Sequence, residues 1–273
     1  MRVIVNVPIC PLMLRPACPG ERVDEALFGM AAEVLDAPCP GWFRVRTHYG
    51  YTGYAEGRHL LFGEDCAESW LRLPKAVITK ALCDVLSAPA VESWPLVSLT
   101  RGALVSPQGA PDGKGWQRIF LPDGRTGYTK RSFLGPYYDT PPRFGESALR
   151  AAIVETAIGY LGTHYRWGGK TPMGIDCSGL ASMAYLLNGV VIWRDAKLKE
   201  GYPLHPIPPE SVKPADLLFF PGHVAIYLGD GRYLHSNAKD GSDGVVVNSL
   251  DPSHPDYRPD LPEKLTAAGS IFC

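Results

Sequence analysis

The chain has 273 residues, room for two or three compact units, and its 45% hydrophobic and 20% charged residues are those of a soluble globular protein. A formal net charge of −1 supplies no surplus of cations to neutralise phosphates. It therefore excludes a nucleic-acid or anionic-membrane partner and points to a small molecule or a peptide.

The first residues, MRVIVNVPICPLML, carry one Arg and a short apolar run broken by Asn6, Pro8 and Pro11. A signal peptide needs a basic flank and an unbroken apolar stretch, so this segment reads as a first strand. No run approaches the roughly 18 apolar residues of a membrane span. If residue 1 is the native start the protein is expected in the cytoplasm; if a leader has been removed, it is exported. The seven cysteines, at 10, 18, 39, 66, 83, 177 and 273, are odd in number and form no CxxC pair. That usage fits a reducing compartment with most thiols as small buried side chains, and it predicts no metal site.

An internal repeat follows. Gly41-Trp42-Phe43-Arg44-Val45-Arg46, ending in Gly50-Tyr51-Thr52-Gly53-Tyr54, returns as Gly115-Trp116-Gln117-Arg118-Ile119-Phe120, ending in Gly124-Arg125-Thr126-Gly127-Tyr128, at a constant offset of 74. Leu60 and Leu134 keep the register. Each copy alternates apolar and polar residues around a Gly turn, a β-hairpin pattern, and further strands are predicted at 31–35 and 77–81. The pattern W-x-[RK]-V, a turn, then G-Y resembles bacterial SH3 domains, which implies two small all-β barrels. Pro136 to Ser147 is a linker rich in breakers, and from Ala148 to Leu161 the apolar spacing switches to the helical period, with Leu149, Ile153, Ala157 and Leu161 four apart. The expected domains are 1–66, 67–139 and 140–273, in an α+β chain.

The chemistry sits in the last of these. Tyr165-Arg166-Trp167-Gly168-Gly169 precedes Asp176-Cys177-Ser178-Gly179-Leu180, and the residues after Cys177 form an amphipathic helix ended by Asn188-Gly189. Cys177 is thus placed at a helix start, where unpaired amides favour the thiolate and can receive an oxyanion. A thiolate there is expected to alkylate faster than the other six thiols. Further on, Leu217 to Phe220, His223 to Leu228 and Arg232 to Ser236 read as successive strands. If the last two form a hairpin, His223 and His235 lie across from each other near its open end, as base and orienter for a nucleophile. A lone strand His is usually structural; two flanking one hairpin, beside a helix-start Cys, reverse that preference. His48, His59, His164, His205 and His254 are read as surface or turn residues.

The set Y-x-W-G-G, D-C-S-G-L, P-A-D-L-L-F-F, H-V-A-I-Y-L-G and Y-L-H-S resembles the NlpC family of papain-like cell-wall cysteine peptidases across residues 145–240. With two bacterial SH3 domains in front, the chain is similar to the γ-D-glutamyl-L-diamino acid endopeptidases of that family, which cut murein stem peptides. The resemblance implies Cys177 as nucleophile, His223 as general base, His235 as orienter and Tyr165 as an oxyanion ligand. It also implies that Asp176, Ser178 and Trp167 meet the substrate, with Asp176 a partner for a free amino terminus. From the first SH3 domain, Glu21 or Glu25 and Tyr51 or Tyr54 would limit the enzyme to short peptides beginning with L-Ala. The implied partner is a murein peptide, and the chemistry needs no cofactor. Two departures stand out: Trp193-Arg194-Asp195-Ala196-Lys197 replaces the family's P-R-D-A-S, and Ala215 replaces a Gly, the latter expected to matter little. Two other readings compete: a catalytically inactive cell-wall-binding protein, and an amidase or acyltransferase using the same Cys-His set.

Overall fold

The structure is a computed structural model that describes residues 1–143 and 145–273; Phe144, in the expected linker, lies outside the described residues. The chain forms two compact units, Met1–Tyr137 and Tyr138–Cys273.

The first unit contains two sheets of the same design. Strands β1 (Arg2–Val5), β2 (Ile9–Met13), β3 (Arg22–Leu27), β4 (Ala31–Cys39), β5 (Trp42–Thr47), β6 (Thr52–Glu56) and β7 (Leu60–Leu61) build one; α1 (Glu64–Arg72) follows. Strands β8 (Ala76–Ile78), β9 (Leu82–Leu86), β10 (Pro95–Thr100), β11 (Leu104–Gln108), β12 (Trp116–Phe120), β13 (Thr126–Lys130) and β14 (Leu134–Pro136) build the other. The orders, β3-β2-β6-β5-β4-β1-β7 and β10-β9-β13-β12-β11-β8-β14, match strand for strand. The repeated hairpins share a register too: Arg44 faces Tyr54 as Arg118 faces Tyr128. The repeated Gly before each Tyr is explained by a crossing strand, since a Cβ on Gly53 would lie 2.9 Å from Leu12 and one on Gly127 2.5 Å from Val85. Neither sheet closes on itself in this pairing, so the expected barrels are corrected to open seven-stranded sheets.

The expected boundary at 66/67 falls inside α1, a helix absent from the sequence expectations. Its buried Trp70 donates from Nε1 to Gly29 O at 2.8 Å, fixing it to the first sheet. Phe28, in the turn between β3 and β4, is fully buried in the core of the second sheet with Ile78, Val85 and Ile119, and its carbonyl accepts from Leu104 N at 2.8 Å. That shared core makes the two sheets one unit.

The second unit is helical first and β-rich later. Its elements are α2 (Glu146–Ile158), β15 (Lys170–Thr171), β16 (Gly174–Ile175), α3 (Cys177–Leu186), β17 (His205–Ile207), β18 (Leu217–Phe220), β19 (His223–Gly229), β20 (Arg232–Asn237), β21 (Gly244–Ser249) and β22 (Ala267–Ser270). Six of these strands form an antiparallel sheet in the order β17-β22-β18-β19-β20-β21, and α2 and α3 pack against β19. Alternation along β18 to β20 sends Leu218, Phe220, Ala225 and Tyr233 into one apolar core with Ala268. Among the described residues no helix is long and apolar enough to cross a membrane.

Candidate active site

Cys177 is the first residue of α3, and Asp176 is its N-cap, in extended conformation with Oδ1 accepting from Gly179 N at 2.6 Å. The cap holds the orphan amides of the first turn in order. Gly179 has no alternative, because a Cβ there would stand 2.1 Å from Gly169 O. The two glycine motifs of the sequence therefore meet backbone to backbone. Ser236 Oγ, on β20, donates to Ile175 O at 2.7 Å and ties the strand before the nucleophile to the strand carrying His235.

The Cys177 thiol is buried, and the backbone amides of Val224 and Ser178 hydrogen-bond its sulfur. Val224 follows His223 on β19, so one hairpin delivers both an amide and an imidazole to this region. Burial, reinforced by the adjacent Asp176 carboxylate, pushes the thiol up to about 11, outweighing the two amides and Arg194. Burial thus opposes the thiolate that the helix start favours.

His223 Nε2 and His235 Nδ1 are 2.7 Å apart, with ring planes at 78°. The register pairs Ile226 with Leu234, which places His235 opposite Ala225 and makes the two histidines diagonal neighbours on one face rather than directly opposed. Burial pushes His223 down to about 4, helped by Arg258, and His235 down to about 3, helped by His223. Both rings are neutral at pH 7. Tyr165, half-buried beside Ile175, has its hydroxyl raised by burial and then by the nearby Cys177 and Asp176. It stays a protonated donor.

Asp176 has several partners within the protein. Its carboxylate accepts from Gly179 N, Ser178 Oγ, Gly168 N and both terminal nitrogens of Arg194, all between 2.6 and 3.2 Å. Arg194 Nη1 also donates to Ser178 Oγ at 2.7 Å. Both expected substrate contacts are thereby engaged inside the protein. Arg194 stood in the departing segment without being singled out, although an Arg among apolar neighbours was its signal. Asn248 was missed as well: its Oδ1 lies 2.9 Å from His235 Nε2, and the only cue was one amide in the run Val245-Val246-Val247-Asn248. Trp167 is 61% exposed. A narrow crevice is lined by Trp193, Asp195 and Lys197 of the departing segment together with Ser178 and Val224, the residues whose amides face the thiol.

Glu21, Glu25, Tyr51 and Tyr54 belong to the other compact unit. Glu21 is exposed; Glu25 is fully buried and accepts from Arg22 Nη1 at 2.9 Å; the two tyrosines are half-buried. Next to Glu25, the equally buried Asp24 accepts from Tyr49 Oη at 2.5 Å. Two adjacent acids in one strand could not both face water, a signal the sequence reading did not use.

The NlpC/P60 family matches residues 162–258. A relative, dipeptidyl-peptidase 6 of Lysinibacillus sphaericus, is 41% identical over 274 residues and covers 100% of both chains. The chain belongs to the NlpC/P60 family. A gamma-D-glutamyl-L-lysine dipeptidyl-peptidase of Bacillus cereus is 26% identical over 81% of this NlpC/P60 chain and 69% of its own length. Among solved structures, an NlpC/P60 family protein from Bacillus cereus ATCC 10987 shares the fold with a TM-score of 0.79 at 20% identity, over 98% of each chain.

Proposed function

We propose that this NlpC/P60 protein is a cysteine peptidase that hydrolyses the γ-D-glutamyl amide to the diamino acid in short murein peptides with a free amino terminus. One observation carries the reading: the residue after His223 hydrogen-bonds the Cys177 sulfur, while His223 itself is held by His235 at 2.7 Å. The names of the two relatives, dipeptidyl-peptidase 6 and gamma-D-glutamyl-L-lysine dipeptidyl-peptidase, support the substrate class. The two N-terminal sheets are read as bacterial SH3 modules on the strength of their duplicated strand order and repeated Trp-to-Tyr hairpin.

The chemistry starts from a neutral pair. His223 takes the thiol proton as Cys177 Sγ attacks the γ-glutamyl carbonyl carbon, giving a tetrahedral oxyanion and an imidazolium. The Cys177 backbone amide at the start of α3 and the Tyr165 hydroxyl are the donors for that oxyanion. The intermediate collapses by breaking the C–N bond, and the imidazolium returns its proton to the departing amine. Water, deprotonated by the same ring, then attacks the thioester, releasing the free γ-carboxylate and the thiol. Asp176, saturated by internal donors, holds the helix start and Arg194 in place. Trp167 is the candidate to stack on the peptide.

The test compares L-Ala-γ-D-Glu-L-Lys, the same peptide N-acylated, and whole sacculi, with wild type and Cys177→Ala. Cleavage of the free peptide by wild type alone is the expected result. Turnover by a folded Cys177→Ala protein overturns the nucleophile, and cleavage of sacculi alone overturns the substrate class.

A further inference from the structure

Asn248 lies on β21 opposite Tyr233. Its Nδ2 donates to Asp256 O at 3.0 Å, and its Oδ1 is 2.9 Å from His235 Nε2. A backbone carbonyl can only accept, so Asp256 fixes which way the amide points. The amide oxygen then faces His235 and can itself only accept, which requires a hydrogen on His235 Nε2. A neutral imidazole carries one N–H, leaving His235 Nδ1 bare. That bare nitrogen is 2.7 Å from His223 Nε2, so the hydrogen between them belongs to His223. A neutral His223 with Nε2–H has its lone pair on Nδ1.

We propose that Asn248 is a positioning residue which, through His235, locks His223 as the Nε2–H tautomer and reserves Nδ1 as the base for the Cys177 thiol. The proposal rests on His223 being that base. Every hydrogen bond in the series Asp256–Asn248–His235–His223 has one donor and one acceptor only in this arrangement; moving either ring proton leaves two lone pairs or two hydrogens facing each other. Asp256 O is itself anchored, accepting from Ser249 N at 3.0 Å. Burial keeps both rings neutral, as the argument requires. The charged groups facing His223 are Arg258, Asp176 and Asp260, and Arg258 and Asp260 also face His235. No carboxylate contacts either ring directly among the described hydrogen bonds, so tautomer control falls to the amide.

The test is nitrogen-15 NMR of histidine-labelled, full-length resting enzyme, with kcat and KM on the free tripeptide for Asn248→Ala and Asn248→Asp. Wild type is expected to show protonated Nε2 and bare Nδ1 on His223, with the spectrum of Asn248→Ala a mixture of tautomers. Asn248→Ala is expected to lower kcat about 10- to 100-fold, part of what a general base contributes, with KM within about twofold. Asn248→Asp restores an acceptor for His235 Nε2 and is expected to recover most of that loss. Its negative charge moves the acid limb of the pH profile upward. A wild-type spectrum with Nδ1–H on His223, or Asn248→Ala with unaltered tautomer and kcat, overturns the proposal. Should Asn248→Ala not fold, the wild-type spectrum and Asn248→Asp still decide. Because the spectrum is recorded without substrate, a failure of the peptidase reading, seen as turnover by Cys177→Ala, is separable from a failure here.

Discussion

Arg194 grips Asp176 with both terminal nitrogens, each 3.0 Å from a different carboxylate oxygen, and Asp176 is the residue immediately before Cys177. The arginine is 2% exposed and the aspartate 5%, so neither charge has water to fall back on. Removing one partner of a buried pair costs far more than the pair itself contributes, about 3–5 kcal/mol. Arg194→Ala is therefore expected to lose about that much stability on urea unfolding and to lose activity with it. Arg194→Lys is expected to recover little, since one ammonium cannot span both oxygens and Ser178 Oγ. A loss below about 1 kcal/mol for Arg194→Ala would show that the pair is dispensable.

Ala215 matters more than its sequence suggested. It sits at φ +76, in the left-handed region where a Cβ crowds the following carbonyl at a cost of roughly 1–2 kcal/mol. The surroundings hold it there: Tyr185 Oη donates to Ala215 O, Arg150 Nη1 donates to Pro214 O at 2.7 Å and to Asp216 Oδ1 at 2.9 Å, and Lys213 N donates to Asp216 Oδ2 at 2.8 Å. Ala215→Gly relieves the strain but loosens the unfolded chain, so the expected net gain is about 0.5–1 kcal/mol. Thermal denaturation of the two proteins measures it; a lower Tm for the glycine variant contradicts the strain.

The same local rules explain what could be read before any coordinates. Hydrophobic periodicity and a 74-residue repeat are local signals, and they located both duplicated hairpins, α2 and the helix that begins at Cys177. The two strand-like runs at 223–228 and 232–236 located the histidine hairpin. What sequence withheld was long-range pairing. Asn248 reaches His235 across 13 positions, Arg194 reaches Asp176 across 18, and Phe28 enters the other sheet's core, none of which leaves a periodic trace. The burial of the thiol was illegible for a related reason. A helix start is visible in sequence, whereas the depth at which folding buries it is not.

Acid sensitivity follows from the two histidines. Their folded values, about 4 and about 3, lie below the unfolded value near 6.5, so between those limits the unfolded chain binds more protons than the folded one. Stability is thus complete above pH 6.5 and falls as pH drops toward 4, each histidine adding a slope of up to about 1.4 kcal/mol per pH unit. His235→Gln is expected to flatten the dependence of Tm on pH in that window. Activity shares the limit: the base stays unprotonated until about pH 4, so the acid limb of kcat/KM is expected near there rather than near 6.5. An acid limb at 6.5 would mean that His223 is hydrated like a surface imidazole.

The thiol gives the complementary test. With Cys177 raised to about 11 and His223 neutral, the resting pair holds its proton on sulfur, and the thiolate appears only as attack proceeds. Alkylation by iodoacetamide, which needs a thiolate but offers no general-base geometry, is then expected to accelerate steadily from pH 7 toward 11. At pH 7 the exposed Cys18 and Cys273 are expected to react before Cys177, reversing the order that a helix-start thiolate would give. Mass spectrometry of peptides from protein labelled at a series of pH values reads each cysteine separately. A Cys177 rate that is already at its plateau by pH 5 would establish a preformed thiolate–imidazolium pair and refute the neutral resting state. The same experiment on His223→Ala distinguishes the two origins of any residual reactivity. If burial and Asp176 alone set the thiol, its pH dependence is unchanged by the substitution; if the imidazole shares the proton at rest, the curve moves to higher pH.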